Sequence, residues 1–189
     1  MPSVRPVKTA RWALLASACI ALPLLAATLK ADPAKSRITA TFKQLNVPVE
    51  AKFGKFDAQI NYDEAKPEAS KAKVDIDVTS FDLGDPDYNK EVMKKDWFDA
   101  AQFPKAGFVS SQIKPLGAGK LDVSGKLTIK GKSADVHFTM TVKKEGGAEV
   151  FDGALPIRRL AYNIGEGEWK DTGTVADEVT IKFHIVAAP

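Results

Sequence analysis

From Ser36 to the C-terminus, apolar residues recur at every second position over most of the chain. That is the period of β-strands with one buried face. Ile38, Ala40 and Phe42 share a face, with Arg37, Thr39, Thr41 and Lys43 on the other. After a turn at 44–46 the inner set is Val47, Val49, Ala51 and Phe53. At Gly54 the parity flips, so that Phe56, Ala58, Ile60 and Tyr62 face inward. One residue out of phase at a glycine predicts a β-bulge, which bends a long strand as a closing barrel requires. Val74, Ile76 and Val78 mark a third strand, and 108–116 a less regular fourth, with Val109 and Ile113 assigned the face opposite Phe108. Leu121 to Ile129, Val136 to Val142, Phe151 to Ile157 and Val179 to Ile185 complete the count, with turns at 117–119, 131–133 and Gly146-Gly147. Eight strands, mostly in hairpin order and each with one wet face, predict an all-β antiparallel sheet. Closure into a barrel removes the sheet edges; a two-sheet sandwich is the alternative.

The period changes between the third and fourth strands. Asp85 can cap a helix, Pro86 suits its first position, and Tyr88/Val92 and Met93/Trp97 are spaced by four. The helix should end near Asp99, because Pro104 disfavours helical geometry at Phe103. Trp97, Phe98, Phe103 and Phe108 crowd this connector. That much aromatic surface needs burial, which predicts a short helical insertion lying across the mouth of the barrel.

Composition supplies an address. Arg5, Lys8 and Arg11 precede an apolar run from Trp12 that ends in Ala26-Ala27, the form of a secretory signal peptide. Pro23 and a run shorter than the roughly 20 residues of a spanning helix argue against a retained anchor. The chain is therefore divided into a leader, 1–27, and one domain, 28–189, expected in the periplasm. Cys19, the only cysteine, lies in the leader, and Ala16-Ser17-Ala18 before it is a poor lipidation match. Without the leader's three basic residues, 24 basic face 24 acidic, which gives no footprint for nucleic acid. His137 and His184 share phase with wet-face residues, so neither a metal site nor a catalytic triad is expected.

Several segments carry a resemblance. The order Asp96-Trp97-Phe98-Asp99, then Phe103-Pro104-Lys105-Ala106-Gly107-Phe108-Val109-Ser110, resembles the signature of the YceI-like periplasmic lipid-binding family. Asp32-Pro33-Ala34-Lys35-Ser36, Gly54-Lys55-Phe56 and Gly125-Lys126-Leu127-Thr128-Ile129-Lys130-Gly131 fit the same family in the same order, over about Leu29 to Val186. The resemblance implies an eight-stranded lipocalin-like barrel holding a long isoprenoid or other amphiphilic chain, with no catalysis and no cofactor. The residues expected to contact that chain are Phe42, Phe53, Phe56, Trp97, Phe98, Phe103, Phe138, Met140, Arg158, Trp169 and Phe183. Small residues among the aromatics, Ala40, Ala51, Ala58, Gly125 and Gly153, lean towards a cavity, although an eight-stranded barrel can equally be filled by side chains.

Arg158 and Arg159 follow a strand end, where a guanidinium can grip a phosphate or carboxylate head group or pair with a nearby acid. The resemblance favours Arg158 for the head group. Glu166, Glu168 and Asp171 beside Trp169 offer the rival reading of a periplasmic hydrolase. The simpler reading is a rim loop with solvated acids. A filled barrel acting as an interaction module is a third reading, and a homodimer stays open.

Overall fold

The computed structural model describes residues 28–189, so the expected leader lies outside the described residues. The strands are β1 Thr28–Ala31, β2 Arg37–Gln44, β3 Val47–Phe53, β4 Phe56–Asn61, β5 Lys71–Asp77, β6 Phe81–Asp82, β7 Lys105–Gly117, β8 Lys120–Ile129, β9 Lys132–Glu145, β10 Ala148–Arg158 and β11 Glu178–Ala188. All pairings between them are antiparallel, and β11 closes the ring by pairing β10 on one side and β1 and β2 on the other. β1/β2, β3/β4 and β5/β6 are three interrupted staves, giving the eight strands that the alternation predicts, closed into the barrel that the resemblance implies.

Each interruption has a local cause. Between β1 and β2, the Asp32 side chain accepts from the Ala34 N–H at 3.0 Å while its carbonyl accepts from Lys35 and Ser36, an Asx-type turn. The second stave breaks at Gly54, as its parity flip predicts. There the Gly54 N–H reaches the Ser80 carbonyl at 3.0 Å and the Lys55 N–H the Ser80 hydroxyl at 2.9 Å. The third stave breaks opposite, in a short 3₁₀ turn, Val78–Ser80. Two neighbouring staves thus bend at one level and are tied there.

Two sequence expectations need correction. The helix, α1, covers only Pro86–Val92, capped as expected by Asp85, whose carboxylate accepts from the Asp87 and Tyr88 N–H groups. Beyond Met93 the chain runs in tight turns, with Asp99 at φ 49. Successive helical residues point about 100° apart; the turns let both Trp97 and Phe98 be buried. The second correction is on β7. A register shift between Ser110 and Gln112 puts Ile113 in the core and leaves Val109 exposed on the other face.

Candidate ligand cavity

The barrel is filled at one end and open at the other. In the filled part, the Phe138 ring packs edge-on between Phe108 and Phe183, with centroids 5.5 and 5.6 Å away. Gly125 and Gly153 make this stack fit. A Cβ at Gly125 would lie 2.5 Å from the Phe108 ring, and one at Gly153 would lie 2.3 Å from the Phe183 ring. These two glycines therefore accommodate protein rings, contrary to the expectation that they signal cavity space. Phe138→Trp should overpack this stack and cost about 1–3 kcal/mol of stability, measured by urea denaturation; an unchanged midpoint would reveal free volume there.

At the open end lies a cavity of about 310 Å³. Ala40, Phe42, Val49 and Phe53 wall it from β2 and β3, and Ile157, Val179 and Ile181 from β10 and β11. The insertion contributes Val92, Trp97 and Phe98, and the loop after β10 contributes Ile164, Trp169 and Val175. Aromatic contacts lock the lid to the barrel: Phe53 to Phe81 at 4.9 Å, Phe81 to Phe98 at 5.1 Å, and Trp97 to Trp169 at 5.4 Å. The exposed lining residues Gly84, Asp85 and Tyr88 mark the mouth.

Of the eleven residues expected to contact a chain, Phe42, Phe53, Trp97, Phe98 and Trp169 wall this cavity. Phe138 and Phe183 lie in the packed stack, and Met140 is buried opposite Gly153 and Leu121, outside the lining. Phe56 sits across from Ile76 in the β4–β5 ladder. Phe103 packs under the Lys130-Gly131 turn, close enough that a Cβ at Gly131 would lie 2.7 Å from its ring. Arg158 points outward, its side chain 80% exposed, and pairs with Asp177 at 3.5 Å.

The arginine at the cavity is Arg159. Leu155, Ile157 and Arg159 share one phase, so strict alternation places Arg159 inside, a signal the sequence does carry. It is 2% exposed. Its Nε donates to the Ala176 carbonyl, one terminal nitrogen to Ile164 and Gly165, and the other to Trp169 and Val175, at 2.6–3.1 Å. The guanidinium carbon stands 5.8 Å from the Trp97 ring centroid. Five N–H donors meet five carbonyls, so Arg159 has no donor left for a head group. Burial lowers its pKa, opposed by nearby Asp177.

Two of the three rim-loop carboxylates, Glu166 and Asp171, are also engaged, while Glu168 is exposed. Glu166 pairs with Lys130 at 3.3 Å, and the nearly buried Lys130 amine donates to the carbonyls of Lys95 and Asn163 as well. Asp171 accepts from the Gly173 N–H and the Thr174 hydroxyl, both at 2.9 Å. Glu166 is thus tied to Lys130 instead of freely solvated. His137 pairs with Asp122 and His184 with Asp152 on the outer face. Among the described residues no group of three or more metal-ligating side chains gathers.

Comparison with known proteins decides the family. The sequence matches the YceI-like domain over residues 29–187. The chain belongs to the YceI-like domain family. This YceI-like barrel resembles the crystal structure of Burkholderia cenocepacia BcnA with a TM-score of 0.82 and 56% identity, over 84% of this chain and 99% of that one. It shares the fold of a polyisoprenoid binding domain from Saccharophagus degradans, with a TM-score of 0.68 and 19% identity, over 87% and 99% of the two chains. A UPF0312 protein of Pseudomonas putida (strain W619) is 37% identical over 94 residues, 50% of this chain and 49% of that protein. The chain thus spans about half the length of the curated relatives it matches.

Three carboxylates near the open end are held in the charged form. Asp82 is held down to about 2 by the Asn89 amide, the Gly84 N–H and Lys52. Asp77 is lowered by the Thr79 hydroxyl, and Asp171 by the Gly173 N–H and the Thr174 hydroxyl. A depressed folded-state pKa gives a contribution that is complete above the ordinary carboxylate range and is lost as pH falls through the folded value. For Asp82 that window runs from about 4 to about 2. The tryptophan emission of the mouth should therefore shift in this window before the far-ultraviolet signal of the barrel is lost. Simultaneous loss of both would show that these groups do not act locally.

Proposed function

We propose that this protein is a periplasmic carrier that holds one long apolar or amphiphilic chain, of isoprenoid or fatty type, with the tail in the barrel and the head at the mouth. The carrying observation is the cavity itself: apolar walls, two tryptophans, and an opening at one end of the barrel. A polyisoprenoid ligand is named for the Saccharophagus degradans domain of the same fold, which supports the isoprenoid class. The expected leader supports the periplasm. A methylene takes about the volume of a water, roughly 30 Å³, so 310 Å³ holds on the order of ten such groups. At about 0.8 kcal/mol each, their burial offsets much of the cost of association.

Catalysis is not part of this reading. The hydrolase alternative needs a pair of free carboxylates flanking a substrate, whereas Glu166 and Asp171 are committed to Lys130 and to their own turn, which leaves Glu168 without a second acid. A purely filled barrel is disfavoured by the cavity. Mass spectrometry of organic extracts from protein exported by a Gram-negative host is the test. One apolar species near equimolar ratio, on a protein lacking residues 1–27, supports the reading. No extracted chain, together with no uptake by the protein when chains are added, contradicts it.

A further inference from the structure

A water-insoluble chain has to reach the cavity from somewhere, and the rim carries side chains suited to that task. Five large apolar side chains are well exposed among the described residues: Leu45, Val47, Tyr88, Val109 and Leu116. Val109 and Leu116 lie on β7, which does not line the cavity. The other three flank its mouth. Tyr88 lines the opening from α1 and is 56% exposed. Leu45 and Val47, 68% and 61% exposed, form the tip of the β2–β3 hairpin between Gln44 and Val49, both of which line the cavity. The Leu45 N–H bonds the Thr174 carbonyl at 2.9 Å, next to lining residue Val175, which holds the tip at the rim.

The hairpin turn makes the leucine conspicuous. Leu45 and Asn46 have φ of 49 and 63, the two left-handed positions of a type I′ turn, which favour Asn, Asp and Gly. Leucine is disfavoured there by its backbone and by its exposure, so folding does not account for it. Beside Tyr88, Lys90 pairs with Asp87 and Lys94 with Glu91, while Lys43 on the hairpin is exposed.

We propose that Leu45, Val47 and Tyr88 form a bilayer-docking surface, which dips into the interface of a lipid membrane so that a chain passes between bilayer and cavity without crossing water. This inference builds on the carrier reading above. Tyrosine suits the boundary between head groups and tails. With most neighbouring charges paired, the surface engages chiefly through apolar insertion.

The test uses Leu45→Asn and the double variant Leu45→Asn/Val47→Ser, neither of which alters a cavity-lining side chain. Leu45→Asn should raise the melting temperature, since Asn suits a left-handed turn position, which separates docking from misfolding. A pyrene-labelled hexadecanoyl chain is supplied in two ways, from phosphatidylcholine vesicles and by dilution from ethanol. The double variant should take the chain from vesicles at least about fivefold more slowly. Its equilibrium affinity after dilution should equal wild type, and wild-type transfer should accelerate with vesicle concentration. Unchanged vesicle transfer with normal affinity overturns docking alone, as does a wild-type rate independent of vesicle concentration. Loss of a wild-type dimer in the variants with unchanged transfer would assign the surface to a second copy. Failure of the wild type to bind the chain after dilution overturns the carrier reading and this proposal with it.

Discussion

Ala40→Phe should lower chain affinity roughly a thousandfold while leaving the barrel folded. The Ala40 side chain is a single carbon that faces the cavity, on a strand paired through Ala51 and Ile181 to its neighbours. A phenyl ring placed there occupies cavity volume without displacing a packed side chain. It would take the place of about five methylene-sized groups of bound chain at roughly 0.8 kcal/mol each, about 4 kcal/mol in all. Because the ring enters existing space, overpacking is avoided and the unfolding midpoint should stay near wild type. Competition against a fluorescent fatty chain and a urea titration measure the two quantities. Undiminished binding by a folded variant would place the chain elsewhere.

Arg159→Met should have the largest effect on stability. The substitution keeps apolar bulk but removes all five donors, leaving carbonyls of Ile164, Gly165, Trp169, Val175 and Ala176 without their partner. A buried acceptor left unsatisfied costs about 1–3 kcal/mol. Rearrangement and water will satisfy some of the five, so a net loss of about 3–5 kcal/mol is expected. Arg159→Lys should rescue little, because an ammonium cannot reproduce the planar fork. Ile164, Trp169 and Val175 are also cavity wall, so chain affinity should fall with stability. A loss below about 1 kcal/mol by urea denaturation would mean the loop is held by other contacts.

The alternation of apolar residues discloses eight antiparallel staves, the bend at Gly54 and the insertion point of α1, because in-or-out parity is a local property of a strand; the choice of barrel over sandwich rests on the resemblance. Height along the barrel axis is not local. Phe42 and Phe138 share the inner face, yet one walls the cavity and the other fills the barrel, depending on which side chains arrive from across the ring. The same limit applies to Gly125 and Gly153, whose missing Cβ atoms make room for Phe108 and Phe183 and not for a ligand. Arg159 was within reach of the period-two pattern through Ile157. Resemblance favours Arg158, whose side chain the structure turns outward onto Asp177. The early end of α1 was hidden because Met93 and Trp97 have helical spacing, while the tight turns are stabilised by burial of both Trp97 and Phe98.

Both tryptophans among the described residues, Trp97 and Trp169, wall the cavity 5.4 Å apart, so their emission reports directly on its contents. The decisive measurement is titration of the delipidated protein with a fatty chain brominated along its tail, a short-range quencher. The carrier account predicts that most of the emission is quenched, saturating at one chain per protein, while the unbrominated chain leaves it bright. Chain binding without quenching, or no binding at all, would contradict it.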